Sequence, residues 1–168
     1  MPLHGTGRHL DPTELKLWTG LVDASRILDT ELERQLLSDH EMTHREYEVL
    51  VRVDGSGGRK RMTTLAREIE ASGPLVSQTV ARLEQRGWME RVPTAEDGRG
   101  VDAVLLPDGI DALARAARPH AELIRSLLHD HLPPDALEAT ADAMHAVASH
   151  LRGHRSGASC DSPNCPLG

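Results

Sequence analysis

The sequence of 168 residues predicts a mainly α-helical chain that carries one small β-hairpin. Apolar residues recur at steps of three and four over long segments near both ends of the chain, which is the spacing of a single helix face. Two segments, DPTE at 11–14 and THRE at 43–46, have the capping pattern of a helix N-terminus. The stretch 93–100 is rich in turn-forming residues and lies between two short apolar segments, which is typical of a hairpin.

The first predicted helix follows residues 1–10, which show no periodic pattern and which we expect to form a flexible arm. Asp11 is its predicted N-cap, and Pro12 and Glu14 suit the first and third helical positions. An apolar stripe then continues for about 25 residues along one helix face. It comprises Leu15, Trp18, Leu21, Val22, Ser25, Leu28, Leu32 and Leu36. A stripe of this length needs a partner surface, because the sequence offers little else nearby for it to pack against.

The second predicted helix begins after Thr43, which is the cap of the second capping pattern. Its expected inner face consists of Tyr47, Leu50 and Val51. The glycine-rich segment 54–58 ends this helix, and the basic triplet at 59–61 follows as part of the connection to the next one.

Two short helices come next. The first covers 62–69 with Thr63 as its predicted cap, and the second is capped by Ser72 and tolerates Pro74 in its first turn. Because a three-residue turn joins them, the pair forms a helix-turn-helix. Its predicted internal core is Leu65, Ala66, Ile69, Val76, Val80 and Leu83.

The segments 88–92 and 101–105 are the two predicted strands of the hairpin, which forms a wing beside the helix-turn-helix. Pro107 opens a helix that we expect to be kinked at Pro119. Its expected inner face is Ile110, Leu113, Ala114, Ala117, Leu123, Ile124, Leu127 and Leu128. The last predicted helix runs from Asp135 to about Leu151. It directs Leu137, Ala141, Met144 and Ala148 inward.

In this order and at these spacings, the motifs resemble the MarR family of bacterial winged helix-turn-helix transcription regulators. The resemblance covers about residues 11–151. Its most specific pieces are Leu65-Ala66, the segment from Ser72 through RLEQRG at 82–87, Arg91 and the segment DGRG at 97–100. The upstream segment 36–50 also resembles the family's junction between helices 1 and 2.

The resemblance implies a homodimer that binds a pseudo-palindromic site on duplex DNA, with a recognition helix of each subunit in the major groove and each wing in a minor groove. It also implies repression that a small, commonly aromatic or phenolic effector relieves. The resemblance divides this chain into five parts. They are a flexible arm (1–10), a dimerisation helix (11–42), a winged helix-turn-helix DNA-binding lobe (43–106), C-terminal dimerisation helices (107–152) and a Gly-, Ser- and Pro-rich disordered tail (153–168).

The recognition helix is predicted to bind DNA through its N-terminal half. Short polar side chains at a helix N-terminus approach base edges and phosphates, and a glutamine can bind adenine with two hydrogen bonds. The family more often has Thr and then Arg where this chain has Ser77 and Gln78, so the chain carries one cation fewer there. A solvated polar face is the structural alternative. The predicted DNA contacts on or beside the helix pair are Thr63, Ser72, Gly73, Pro74, Ser77, Gln78 and Arg82.

The wing supplies a second set of predicted contacts. Asp97 and Arg99 are two residues apart on the turn, so an ion pair between them can hold the guanidinium extended toward a narrow minor groove. The alternative is a surface salt bridge with little effect. Arg61 and Arg91 are predicted to contact phosphates.

Composition excludes several other functions. Aromatic residues make up 2% of the chain, which argues against single-strand binders that stack bases on aromatic rings. The sequence shows neither a run of apolar residues long enough to cross a membrane nor a secretory signal, so we expect a cytoplasmic protein. It also shows no catalytic motif, and we expect neither enzyme activity nor a cofactor or metal.

The net charge of −7 is unevenly distributed along the chain. Residues 59–99 carry eight cations and six anions, whereas the rest of the chain carries 11 cations and 20 anions. The predicted DNA-binding lobe is therefore mildly basic, and we expect its DNA affinity to be modest and sensitive to salt.

Three alternatives stay open from the sequence. Trp18, His44 and Tyr47 could line an effector cleft, although such residues are more often core. The chain could also be a winged module that binds proteins and not DNA. A metal- or redox-responsive regulator would use the His- and Cys-rich C-terminus, namely His150, His154, Cys160 and Cys165.

Overall fold

A computed structural model describes residues 9–94 and 100–157 of the chain, with side chains described as far as residue 154. Within these ranges the chain is mainly helical and carries one small sheet, as the sequence predicted. The elements in order are α1 (Pro12–His40), α2 (His44–Asp54), β1 (Arg59–Arg61), α3 (Met62–Glu68), α4 (Gly73–Gln85), β2 (Met89–Pro93), β3 (Val101–Leu105), α5 (Pro107–Leu127), a 3-10 turn (His129–His131) and α6 (Pro134–Gly157). The chain divides into two compact units, the first ending at Ile124 and the second beginning at Arg125.

Both predicted capping boxes are present. Asp11 Oδ1 accepts hydrogen bonds from the backbone N–H groups of Thr13 at 2.7 Å and Glu14 at 2.9 Å, and the Glu14 carboxylate accepts from the Asp11 N–H at 2.8 Å. Thr43 and Glu46 repeat this reciprocal pattern at the start of α2. These caps explain where the two helices begin, because each satisfies backbone donors that have no partner inside the helix.

The buried face of α2 shares only Leu50 with the prediction, and Tyr47 is partly buried. Val49, Leu50 and Val53 are fully buried, whereas Val51 is 39% exposed. The expectation that Val51 faces inward was wrong. Each helical residue is rotated by about 100° from the last, so a face centred on 49, 50 and 53 turns position 51 toward solvent.

The basic triplet is a strand, which the sequence did not predict. β1 pairs antiparallel with β3, and the sheet has the order β1-β3-β2. Because α3 begins directly after this strand at Met62, the N-cap position falls on Arg61, which makes no side-chain capping bond. Thr63 lies inside the first turn and not at the cap, so the predicted capping role of Thr63 was wrong.

The core of the first unit lies between α2, α3, α4 and the sheet. It contains the predicted helix-turn-helix residues Leu65, Ile69, Val76, Val80 and Leu83, while Ala66 packs against it partly buried. The other buried apolar residues are Leu36, Met42, Val49, Leu50, Val53, Met89, Ala103, Leu105, Ala112, Leu113 and Ala116.

The predicted inner face of α5 is only partly correct. Leu113 is buried, but Ile110 is 47% exposed and Ala114 is exposed as well. The buried face of α5 instead follows the helical spacing of Gly109, Ala112, Leu113 and Ala116. The buried residues of α5 are Gly109, Ala112, Leu113, Ala116 and His120.

In the second unit, α6 continues to Gly157, so residues 153–157 are helical and the predicted tail cannot begin at Gly153. Residues 158–168 lie outside the described ranges. The predicted inward residues Leu137 and Met144 are exposed in this single chain. None of the helices in the described ranges has both the length and the apolar character that a membrane span requires.

Candidate nucleic-acid interface

The helix-turn-helix presents the N-terminus of α4 to solvent. Glu70 adopts a left-handed conformation, with φ of 53°, where the chain turns between α3 and α4. Ser72 then caps α4 as predicted, and its Oγ accepts from the Leu75 N–H at 3.4 Å. Ser72, Gly73 and Pro74 are all exposed. The positive end of the α4 dipole and its first backbone N–H groups therefore face outward, where they suit a phosphate.

The two faces of α4 differ in polarity. Val76, Thr79, Val80 and Leu83 form its buried face, and the Thr79 hydroxyl donates to the Leu75 carbonyl oxygen at 2.9 Å. The predicted contacts lie on the opposite side, where Gln78 and Arg82 are exposed and Ser77 is half-buried.

Ser77 is tied to the wing by Arg91 of β2. Arg91 Nη1 donates to Ser77 Oγ at 3.3 Å, and Nη2 lies 2.5 Å from Glu84 Oε2. The Arg91 backbone N–H donates to the other carboxylate oxygen of Glu84 at 2.8 Å. Two predicted DNA contacts, one on α4 and one on the wing, are therefore in direct contact, and Arg91 is held by a carboxylate that the sequence analysis did not single out.

Arg82 connects α4 to α2. Its Nε lies 3.5 Å from Oε1 of Glu46, the capping residue of α2, which is only 5% exposed. Glu46 Oε2 meanwhile accepts from the Thr43 N–H at 2.9 Å. The side chain of Arg82 is still 46% exposed, so the guanidinium combines this internal contact with access to solvent.

The base of the wing is held by Asp102. Its carboxylate accepts from Arg59 Nε at 2.7 Å and from the Thr94 hydroxyl at 2.8 Å, and these hydrogen bonds lower the pKa of Asp102. Arg61 lies beside the wing, since a Cβ placed on Gly100 would stand 2.7 Å from Arg61 Nη2. Asp97 and Arg99, the predicted minor-groove contacts, lie outside the described residues.

A cleft of about 450 Å³ brings several predicted contacts together. Its walls come from α3, α4 and the wing strands. The lining residues are Met62, Thr63, Ala66, Gly73, Ser77, Arg91 and Val101.

Carboxylates offset much of the positive charge of this lobe. In the described ranges, four of its cations lie within 4.0 Å of a carboxylate oxygen, and Arg86 stacks 3.6 Å above the centre of the Trp88 ring. The ion pairs are Arg59 with Asp102, Lys60 with Glu68, Arg82 with Glu46 and Arg91 with Glu84.

A cluster of rings lies where α1, α2 and α5 meet. His120 of α5 is 2% exposed, its Nδ1 is 3.1 Å from Gln35 Oε1, and its ring centre is 4.4 Å from that of Tyr47 and 5.7 Å from that of His44. Burial, together with His44 and His40, lowers the pKa of His120. The sequence analysis missed His120, because a histidine that directly follows Pro119 in a helical segment gives no signal of burial.

The structure brings together only two of the three predicted effector contacts. His44 lies against Asp29 of α1, with 3.4 Å between His44 Nδ1 and Asp29 Oδ1. Trp18 is 11 residues before Asp29 in the same helix, which places it about 16 Å further along the axis. Trp18 is 57% exposed and, within one chain, is not part of the His44 and Tyr47 cluster.

The described residues contain no group of three or more His, Cys, Asp and Glu side chains arranged to hold a metal ion. The rings of His150 and His154 are stacked, with centres 6.4 Å apart. Cys160 and Cys165, the other members of the predicted C-terminal set, lie outside the described ranges.

Comparisons with known proteins agree on one family. The family model described as the MarR family matches residues 40–100. Two solved structures from Streptomyces coelicolor are similar over most of their length. Sco3205, a MarR family transcriptional regulator solved in complex with DNA, is 34% identical, with a TM-score of 0.82 over 88% of this chain and 93% of that chain. AbsC, another MarR family transcriptional regulator, is 32% identical, with a TM-score of 0.82 over 88% of this chain and 99% of that one.

A curated relative gives a weaker match. The HTH-type transcriptional regulator PecS of Dickeya dadantii is 24% identical over 106 residues, which are 62% of this chain. The match spans 63% of PecS, slightly less than two thirds of its length.

Proposed function

Because this chain belongs to the MarR family of transcriptional regulators, we propose that it is a repressor that binds duplex DNA as a homodimer and is released by a small-molecule effector. In this proposal α4 enters the major groove of a pseudo-palindromic operator and the wing reaches the adjacent minor groove.

The exposed N-terminal half of α4 is the observation that carries the proposal. Ser72, Gly73 and Pro74 are open to solvent, and Gln78 lies on the face opposite the core. A helix that inserts into a major groove needs this combination, because its buried face fixes it to the lobe while its polar face meets base edges.

The exposed apolar residues of α1 support a homodimer. Leu15, Leu17, Trp18, Leu21 and Ile27 are each at least 40% exposed in the single chain. A helix that exposes this many large apolar side chains in the single chain suits an interface with a second subunit. The exposed apolar residues of α6 are Leu137, Met144, Val147 and Leu151, which gives a second apolar surface that a partner subunit can cover.

The effector proposal rests on a polar cavity of about 460 Å³ in the first unit. His44 lines it together with Asp29 and Glu33 of α1, and Leu75 and Arg82 of α4 line it as well. A ligand in this cavity would touch the predicted recognition helix directly, so binding there can change how α4 is held. We propose a small aromatic or phenolic effector, because the His120 ring lies between those of His44 and Tyr47.

The test is a gel shift with the DNA upstream of the coding sequence, using wild-type protein and the Gln78→Ala variant. Gln85→Ala is the matched control, because Gln85 is exposed on the same helix but two turns further from its N-terminus. We expect Gln78→Ala to weaken binding about 3- to 10-fold, the effect of one or two hydrogen bonds, and Gln85→Ala to leave it unchanged. Sedimentation of each variant checks that the dimer is intact.

The outcomes separate the alternatives. If the intact dimer binds neither this DNA nor any member of a random duplex pool, the DNA-binding proposal is wrong and a protein-binding winged module is favoured. If Arg99→Ala binds as tightly as wild type across a salt series, the wing makes no contact. If phenolic compounds leave the bound complex intact at millimolar concentration, the proposed effector class is wrong.

A further inference from the structure

We infer that Glu84 and Arg91 determine a base preference of α4 by making the Ser77 hydroxyl a hydrogen-bond donor toward a purine N7. This inference rests on the proposed DNA binding. It concerns one base in each half-site, where N7 of either purine accepts from Ser77 and cytosine is disfavoured.

The first step is the fixed position of the Arg91 guanidinium. Glu84 engages Arg91 twice, through the backbone N–H at 2.8 Å and through Nη2 at 2.5 Å. The Arg91 side chain is 35% exposed and that of Glu84 is 26% exposed, so both are partly withdrawn from solvent. A guanidinium held by a carboxylate loses little further freedom when it makes another contact, because its planar donors are already oriented.

The second step is the polarity of the Ser77 hydroxyl. Arg91 Nη1 donates to Ser77 Oγ at 3.3 Å, and within the described residues the Ser77 hydroxyl makes this hydrogen bond as an acceptor. A hydroxyl that accepts from a cation has its own proton left to donate, and the accepted bond strengthens its donation. The positive charge of Arg91 also disfavours contact between Ser77 and the amino group of a base, because the amino hydrogens carry partial positive charge.

The third step connects this polarity to the groove. Cytosine N4 and adenine N6 present donors in the major groove, whereas guanine and adenine both present the N7 acceptor. Ser77 is one turn into α4 and lines the cleft between that helix and the wing together with Gly73 and Arg91. A single donor accepts N7 of adenine and of guanine alike and disfavours cytosine. Thymine O4 is also an acceptor, but only a contact with N7 is lost when a purine is replaced by its 7-deaza analogue.

Glu84 is a positioning residue in this scheme, because it acts on DNA only through Arg91. Neutralising Glu84 has two consequences of opposite sign. Removing a negative charge from the lobe strengthens binding to every sequence, while release of Arg91 weakens the discrimination that Ser77 provides. A purely structural role of Glu84 would change total affinity and leave discrimination at a single base pair untouched.

The experiment first selects operator duplexes from a random pool with the full-length wild-type protein. Each purine of a half-site is then replaced in turn by its 7-deaza analogue, which removes N7 and keeps base pairing. Binding of every duplex is measured for wild type, Ser77→Ala and Glu84→Gln. Glu90→Gln is the matched control, since Glu90 is exposed on β2 directly before Arg91 and its side chain points to the other face of the strand.

We expect one 7-deaza substitution per half-site to weaken wild-type binding about 3- to 10-fold, as for loss of one hydrogen bond. The same substitution should have no effect on Ser77→Ala and a reduced effect on Glu84→Gln, while Glu90→Gln should respond like wild type. If every substitution affects wild type and Ser77→Ala equally, or if Glu84→Gln retains the full wild-type response, the inference is wrong although DNA binding stands. If no duplex is selected at all, both the proposed function and this inference fail.

Discussion

Gly109, in the first turn of α5, packs directly against the backbone carbonyl group of Trp88. A Cβ on Gly109 would stand 2.2 Å from the Trp88 oxygen and 2.8 Å from Leu105 Cδ1. The same carbonyl oxygen accepts a hydrogen bond from the Leu106 N–H at 2.9 Å. The segment that follows β3 is therefore held against the segment that precedes β2. This contact fixes where α5 begins relative to the lobe.

Gly109→Ala should consequently destabilise the protein. The obstructing atom is backbone and cannot rotate away, so we expect the free energy of unfolding to fall by about 1–3 kcal/mol, as in overpacked cores. Urea denaturation measures this change in the free energy of unfolding. Gly73→Ala is the matched control, because a Cβ at Gly73 meets nothing within 4 Å. Equal stabilities of the two variants would contradict the packing described for Gly109.

Arg82→Ala should lower stability as well as DNA affinity. Removing the guanidinium leaves the Glu46 carboxylate, which is 5% exposed, without its cationic neighbour. We expect a loss of about 1–3 kcal/mol, the cost of an unsatisfied polar group, when unfolding is followed by circular dichroism. Arg67→Ala, at an exposed position of α3, should change stability by less than about 0.5 kcal/mol. A stable Arg82→Ala protein that fails to bind DNA would assign Arg82 to DNA contact alone.

His120 should make stability depend on pH. Because its pKa is lowered in the folded protein, the unfolded chain binds more protons than the folded one as pH falls below about 6.5. The free energy of unfolding should therefore be constant for this group at higher pH and decrease as pH falls below that value.

Urea titrations at pH 7.5 and 5.5 test this dependence in wild type and in His120→Gln, which should lose less stability on acidification. His145→Gln is the control, since His145 is exposed on α6. The groups that face His120 are Gln35, His40, His44 and Tyr47. An unchanged pH dependence in His120→Gln would show that another group dominates.

Local sequence signals predicted the starts of α1, α2 and α4 and the helix-turn-helix because their causes are local. The caps at Asp11, Thr43 and Ser72 each involve residues within three positions of one another. The core positions of α3 and α4 follow the helical period, so their burial also follows from spacing alone.

The features that were missed depend on residues far apart in sequence. β1 has no apolar alternation, and only pairing with β3, about 40 residues later, makes it a strand. That pairing also moved the start of α3 and removed the capping role of Thr63. Burial of His120 depends on Gln35, 85 residues earlier, and no periodic pattern contains such information.

The candidate site was predicted where it follows from local spacing and missed where it depends on a contact between two elements. Ser77 and Gln78 followed from their places on α4, and Arg91 from its place on the wing. The carboxylate of Glu84 that joins Arg91 to the helix is seven residues from Arg91, and one more charged residue on an amphipathic helix does not stand out from the sequence.

Hydroxyl-radical footprinting of the wild-type protein on a selected operator tests the central claim, that a homodimer inserts two α4 helices into successive major grooves. We predict two symmetry-related protected regions whose centres are about 10 base pairs, or one helical turn, apart. A single protected region, or protection without two-fold symmetry, would contradict it.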